Sequence, residues 1–168
     1  MLGIDLGERR IGLAEADPSA GRARPLATLR RARTPAADVR ALAAFLAAGD
    51  VAELVVGLPL DMTGGEGAQA SATRAWAEAV AALTRLPVCL RDERLTSHLA
   101  EERLGPMPRG RSGGPPTPHQ RETYRARVDR EAAAIILQDE LDARRDEASP
   151  GTAVGASGGD GTDRTVAP

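Results

Sequence analysis

Aromatic side chains are nearly missing from this sequence: among 168 residues only Phe45, Trp76 and Tyr124 carry a ring of that kind. A protein that grips single-stranded bases by stacking needs several such rings, so that mode of recognition is excluded. The single cysteine, Cys89, permits neither a disulfide framework nor a cysteine zinc site within one chain. The two histidines, His98 and His119, fall beside no acid in a triad pattern and read as surface residues, His119 being a candidate for substrate contact. No apolar run approaches the length of a bilayer span, and no basic-then-apolar leader opens the chain. The expected compartment is therefore the cytoplasm, with no membrane partner. Lysine is absent too, and its replacement throughout by arginine reads as compositional bias rather than mechanism.

What is present suffices for one domain with a core of Leu, Val, Ile and Ala. The net charge of -2 would argue against nucleic acid if it were evenly spread, and it is not. Residues 22–40 hold six arginines against Asp38 alone, and residues 103–130 hold seven against Glu122 and Asp129. Arg109, Arg111 and Arg125 belong to the second tract. Two basic tracts on an otherwise acidic chain favour a phosphate-bearing partner, because local sign matters more than the total.

Hydrophobic alternation predicts strands over 2–6, 10–16 and 25–31, joined as an antiparallel meander. A helix is expected over 35–48, opened by Thr34 and Pro35 and stopped at Gly49. The unbroken apolar run ELVVGLPL (53–60) suits a strand buried on both faces. Further helices are expected over about 68–83, 97–104 and 119–145, with a last strand over 87–93. The segment GPMPRGRSGGPPTP should be mobile, and the chain beyond about 146 disordered, leaving residues 1–145 as the folded domain. The order βββαβαβα describes an α/β protein with a mixed five-stranded sheet and helices on both faces, the ribonuclease H-like architecture.

Asp5 sits in a strand between Gly3 and Gly7, where aspartate is disfavoured. The two glycines are expected to leave that face empty, so that a ligand or metal can approach the carboxylate. Asp129 shares its helix face with Ala132, Ala133 and Ile136, so a buried carboxylate there requires a partner, either a metal or an arginine. A third acid comes from Asp92 or Glu93, which are adjacent and point to opposite faces; alternation alone does not choose between them. Carboxylates without a His or Cys cluster suit an oxygen-loving ion, Mg²⁺ or Mn²⁺.

Four ordered motifs, GIDLGERRIGLA, VVGLPLDMTGGEG, DERLTS and VDREAAAIIL, resemble the YqgF family of RuvC-like nucleases over residues 1–142. Members are described as Holliday junction resolvases and as pre-16S ribosomal RNA nucleases. The resemblance implies a divalent-metal nuclease acting on structured RNA or branched DNA, with Asp5, Glu93 and Asp129 as catalytic and metal-binding acids. Where the wider RuvC group has its second acid, at the end of the fourth strand, this chain has GLP. Beside the motifs, Arg9, Arg94 and Thr96 join Arg109, Arg111 and Arg125 as nucleic-acid contacts, and the glycine-rich loop opens a helix whose amides would meet a phosphate. Junction cleavage calls for a homodimer, whereas trimming an RNA precursor does not. Two other readings compete. GIDLG also resembles the first phosphate loop of the actin and sugar-kinase ATPases, which need a second lobe; a non-catalytic nucleic-acid-binding module would take up no metal ion.

Overall fold

A computed structural model describes residues 1–48, 50–61, 65–93, 96–110 and 113–148. Its elements run β1 (Leu2–Leu6), β2 (Arg10–Asp17), β3 (Arg22–Arg30), α1 (Pro35–Ala48), β4 (Leu54–Leu58), α2 (Ala68–Thr84), β5 (Val88–Asp92), α3 (Thr96–Leu104) and α4 (Pro118–Ala148). The sheet order is β3-β2-β1-β4-β5. β1, β2 and β3 pair antiparallel, whereas β4 is parallel to both β1 and β5. This mixed five-stranded sheet with helices on both faces is the ribonuclease H-like fold.

Two layers of core follow from strand alternation. Leu2, Ile4 and Leu6 of β1, Ile11 and Leu13 of β2, and Leu54 and Val56 of β4 pack with Leu42 of α1 and Trp76 and Val80 of α2. The opposite face, with Ala14, Ala16 and Val55, is covered by Ala133, Ile136 and Leu137 of α4. α3 packs outside α4, burying Ala100 with Tyr124, Val128 and Ile135. No helix among the described residues is long and apolar enough to cross a membrane.

Local chemistry explains the element ends. Thr34 caps α1, its hydroxyl accepting from the Ala37 amide at 3.3 Å. α2 stops at Arg85, whose left-handed φ of 59° closes a backbone bond to Ala81. Asp38, only 1% exposed, accepts from the Trp76 indole (2.9 Å) and the Ala32 amide (2.7 Å), which satisfies a buried carboxylate without a cation. At the far end of the sheet, buried Glu140 of α4 accepts from Arg144 (2.6 Å) and Arg91 (3.3 Å), and Arg144 reaches on to Glu53. α4 extends beyond the expected helix at both ends, from Pro118 to Ala148. The expectation of a disordered tail falls mostly on residues outside those described. The Gly- and Pro-rich segment expected to be mobile is tied to α4 in its described part: Tyr124 donates to the Gly105 carbonyl (2.7 Å) and Gln120 to that of Arg109 (3.2 Å).

Candidate active site

Asp5 lies on the α4 side of β1, on the face it shares with Gly3. That face is not empty, which corrects the expectation for Gly3. A Cβ there would come within 2.7 Å of Leu137 Cβ and 2.9 Å of the Ala133 carbonyl, so the missing side chain admits the helix and not a ligand. Gly12, directly opposite Asp5 on β2, does the same: a Cβ would meet the Asp129 carbonyl oxygen at 2.0 Å. These two glycines let α4 lie close enough on the sheet for Asp129 to reach the level of Asp5.

Glu93 arrives from the other side. It follows β5, and alternation sets it on the same face as Cys89, which packs with the α4 layer; Asp92 is exposed. A Cβ on Gly57 of β4 would stand 2.0 Å from Glu93 Oε2. The carboxylate therefore occupies the space a side chain on β4 would fill, at the strand between Glu93 and Asp5. The Glu93 amide donates to the Leu58 carbonyl (3.2 Å), fixing the end of β5 against β4.

Electrostatics reflect this crowding. Burial first, then the charge of Asp129, pushes the Asp5 carboxyl up to about 7 despite the opposing pull of Arg10. Burial, then the charges of Asp5 and Asp92, pushes Glu93 up to about 8. Glu93 Oε2 is buried and accepts no hydrogen bond among the described residues. Asp129 has a partner of its own, because the Arg10 Nε donates to Asp129 Oδ2 while Arg10 Nη1 contacts Glu122 at 3.3 Å. Arg10 is thus one partner of Asp129.

Among the described residues, no three His, Cys, Asp or Glu side chains stand in a metal-holding group. The charge of Asp5 nevertheless reaches Glu93 and raises its protonation, and Glu93 carries a buried oxygen with no partner among the described residues. An all-carboxylate donor set with an unsatisfied oxygen fits a hard divalent cation, which would supply the positive charge these groups lack. With Asp129 turned to Arg10, the pair that fits such an ion is Asp5 and Glu93.

The remaining expected contacts divide. Thr96 is buried and its hydroxyl donates to the Glu93 carbonyl at 2.9 Å, so it holds the Glu93 backbone at the start of α3. Arg9, Arg109 and Arg125 are exposed. Arg94, Arg111 and residues 62–64 of the glycine-rich loop lie outside the described residues. Both histidines are exposed. Sequence reasoning passed over Arg10 and Gly57. A signal for Arg10 existed in its parity with Gly12, which puts both on the face of Asp5.

A ribonuclease H-like sheet with carboxylates gathered at the C-terminal ends of β1 and β5 defines a scaffold of the nuclease type. The family model described as "RuvX: Holliday junction resolvase" matches residues 1–143, and the chain belongs to that family. A protein from Anaeromyxobacter sp. (strain Fw109-5) named "Putative pre-16S rRNA nuclease" is 49% identical over 143 residues, 85% of this chain and 96% of the relative. One of the same name from Chloroflexus aggregans is 43% identical, covering 86% of this chain and 94% of the relative. Among solved structures, Thermus thermophilus RuvC in complex with a Holliday junction substrate matches with a TM-score of 0.46 and 17% identity, over 86% of this chain and 94% of that one.

Proposed function

We propose that this chain is a divalent-metal-dependent endonuclease that hydrolyses phosphodiester bonds in structured nucleic acid, with the 5′ end of pre-16S ribosomal RNA as substrate. One observation carries the reading beyond family membership: the Glu93 carboxylate reaches across side-chain-free Gly57 into the field of Asp5 and keeps a buried oxygen without a partner among the described residues. Such an arrangement opposes folding unless a cation completes it. Mg²⁺ or Mn²⁺, when bound, supplies activation of water and charge for the leaving oxygen. Asp5 and Glu93 would hold the ion, and Asp129 the edge of the site toward the substrate. Asp5 and Glu93, being shifted upward, must release protons to take up a metal, so activity should rise with pH through the range about 7 to 8. Arg10 and Thr96 act as positioning residues, one on Asp129 and the other on the Glu93 backbone.

Precursor RNA is favoured because the two relatives carry that name at 43% identity or more; the family description favours a four-way DNA junction as the second reading. Both substrates, offered side by side with Mg²⁺ or Mn²⁺ to the wild type, Asp5→Asn, Glu93→Gln and Asp129→Asn, decide the matter. Cleavage of the RNA by the wild type, lost with Mn²⁺ uptake in Asp5→Asn, is expected. Equal activity in the acid variants would discard the site, and Mn²⁺ calorimetry without heat would leave only a binding module.

A further inference from the structure

We propose that an arginine-lined groove beside Asp129 seats the sugar-phosphate backbone of the nucleic-acid substrate; the inference rests on the nuclease reading and gives that site its substrate path. The groove, about 550 Å³, runs between the β1–β2 turn, the end of β3 and the first half of α4. Arg9, Arg10, Arg30, Arg31 and Arg33 line it, against Glu8 and Glu122. The sequence showed the basic tract that holds Arg30, Arg31 and Arg33 but not its meeting with Arg9 and Arg10, which comes only through the β2–β3 register.

Folding alone gives no reason for it. Arg10 and Arg30 are direct cross-strand partners, and like charges in that position destabilise a sheet. Arg10 is offset by Asp129 and Glu122, but the side chains of Arg9, Arg30 and Arg33 make no ion pair or hydrogen bond among the described residues. Arg30 and Arg33 are exposed, so their planar donor forks are free for a phosphate. The walls are already fixed. Thr28 of β3 donates to the Ala126 carbonyl of α4, and Arg31 donates to the Gly7 carbonyl at 2.9 Å, two residues past Asp5.

The groove also contains no aromatic residue, so it can hold phosphates but cannot stack bases. An acidic protein segment would match the charge equally well. What favours nucleic acid is Arg10, which lines the groove and holds Asp129 at once, so a backbone lying on the arginines continues to the acids.

The test is fluorescence anisotropy with a labelled hairpin RNA carrying a single-stranded 5′ extension, in EDTA so that nothing is cut. The variants are Arg30→Ala with Arg33→Ala, and Arg24→Ala as a control on an exposed arginine paired with Glu15 at the other end of the sheet. The double variant should bind about tenfold more weakly or worse, with the slope of log Kd against log salt shallower by about two. Its Mn²⁺ uptake should match the wild type and its thermal midpoint should be no lower, because the Arg10–Arg30 repulsion is removed, and Arg24→Ala should bind as the wild type does. Unchanged affinity and slope in the double variant would overturn the proposal, as would polyglutamate bound as tightly and with the same sensitivity to the variants. Groove-dependent RNA binding by a protein that cleaves nothing with Mn²⁺ would uphold the groove and sink the nuclease reading. Cleavage by the double variant at wild-type KM would sink the groove alone.

Discussion

Replacing Glu93 with glutamine should make the metal-free protein less sensitive to alkali. In the folded chain this carboxyl titrates at about 8, against an ordinary 4.5. Between those values the folded state keeps a proton that the unfolded state has lost. Stability is therefore intact below the ordinary range and falls as pH rises through the folded value. From about pH 6 to about pH 8 the loss due to Glu93 alone is about 2 kcal/mol, since most of that interval lies below the folded titration point. Asp5, raised to about 7, adds a further loss in the wild type and remains in the variant. Urea denaturation in EDTA at both pH values measures the difference, with the fluorescence of buried Trp76 as the probe. Any fixed cost of the amide at this position cancels, because only the change with pH is compared. Mn²⁺ at the higher pH should restore stability in the wild type and much less in Glu93→Gln. If the two proteins lose stability in parallel between the two pH values, Glu93 is not a crowded ionisable group and the reasoning fails.

Gly57→Ala places a methyl group 2.0 Å from Glu93 Oε2 and 2.6 Å from Ile136 Cδ1, so the carboxylate must move; cleavage should fall about a hundredfold, measured as kcat on precursor RNA, while the fold persists. Gly12→Ala meets backbone rather than a movable side chain, and forcing α4 off the sheet should cost about 3 kcal/mol in urea denaturation. Asp38→Ala strands the Trp76 indole and the Ala32 amide, for a loss of about 3 kcal/mol with a shift in Trp76 emission, yet cleavage per folded molecule should hold because Asp38 lies on the opposite face from Asp5.

The sheet was legible because its strands are written in alternation and its helices carry their own punctuation: Thr34 and Pro35 mark the start of α1, where the Thr34 hydroxyl accepts from the Ala37 amide. The site was legible only in part, for a physical reason. Alternation says which residues share a face, but not which helix covers it. Gly3 and Gly57 look alike in sequence, each a bare position in an apolar strand, and both do mark a close approach. At Gly3 the visitor is Leu137 of the helix, and at Gly57 it is a carboxylate from the neighbouring strand. The choice between Asp92 and Glu93 has the same form. Pairing Gly57 with Arg91 fixes the register of β4 against β5, and parity then sends Glu93, not Asp92, to the α4 side. Arg10 lay furthest from reach, since its partner Asp129 is 119 residues away and no local pattern ties the two. An arginine on an acid at the edge of a proposed metal site is a charge supplied by the chain where an ion and a substrate would later compete. Its presence accounts for how the folded chain tolerates three acids in one neighbourhood: Arg10 offsets one, and the upward shifts leave Asp5 about half and Glu93 largely protonated near pH 7, protons that a bound cation would displace.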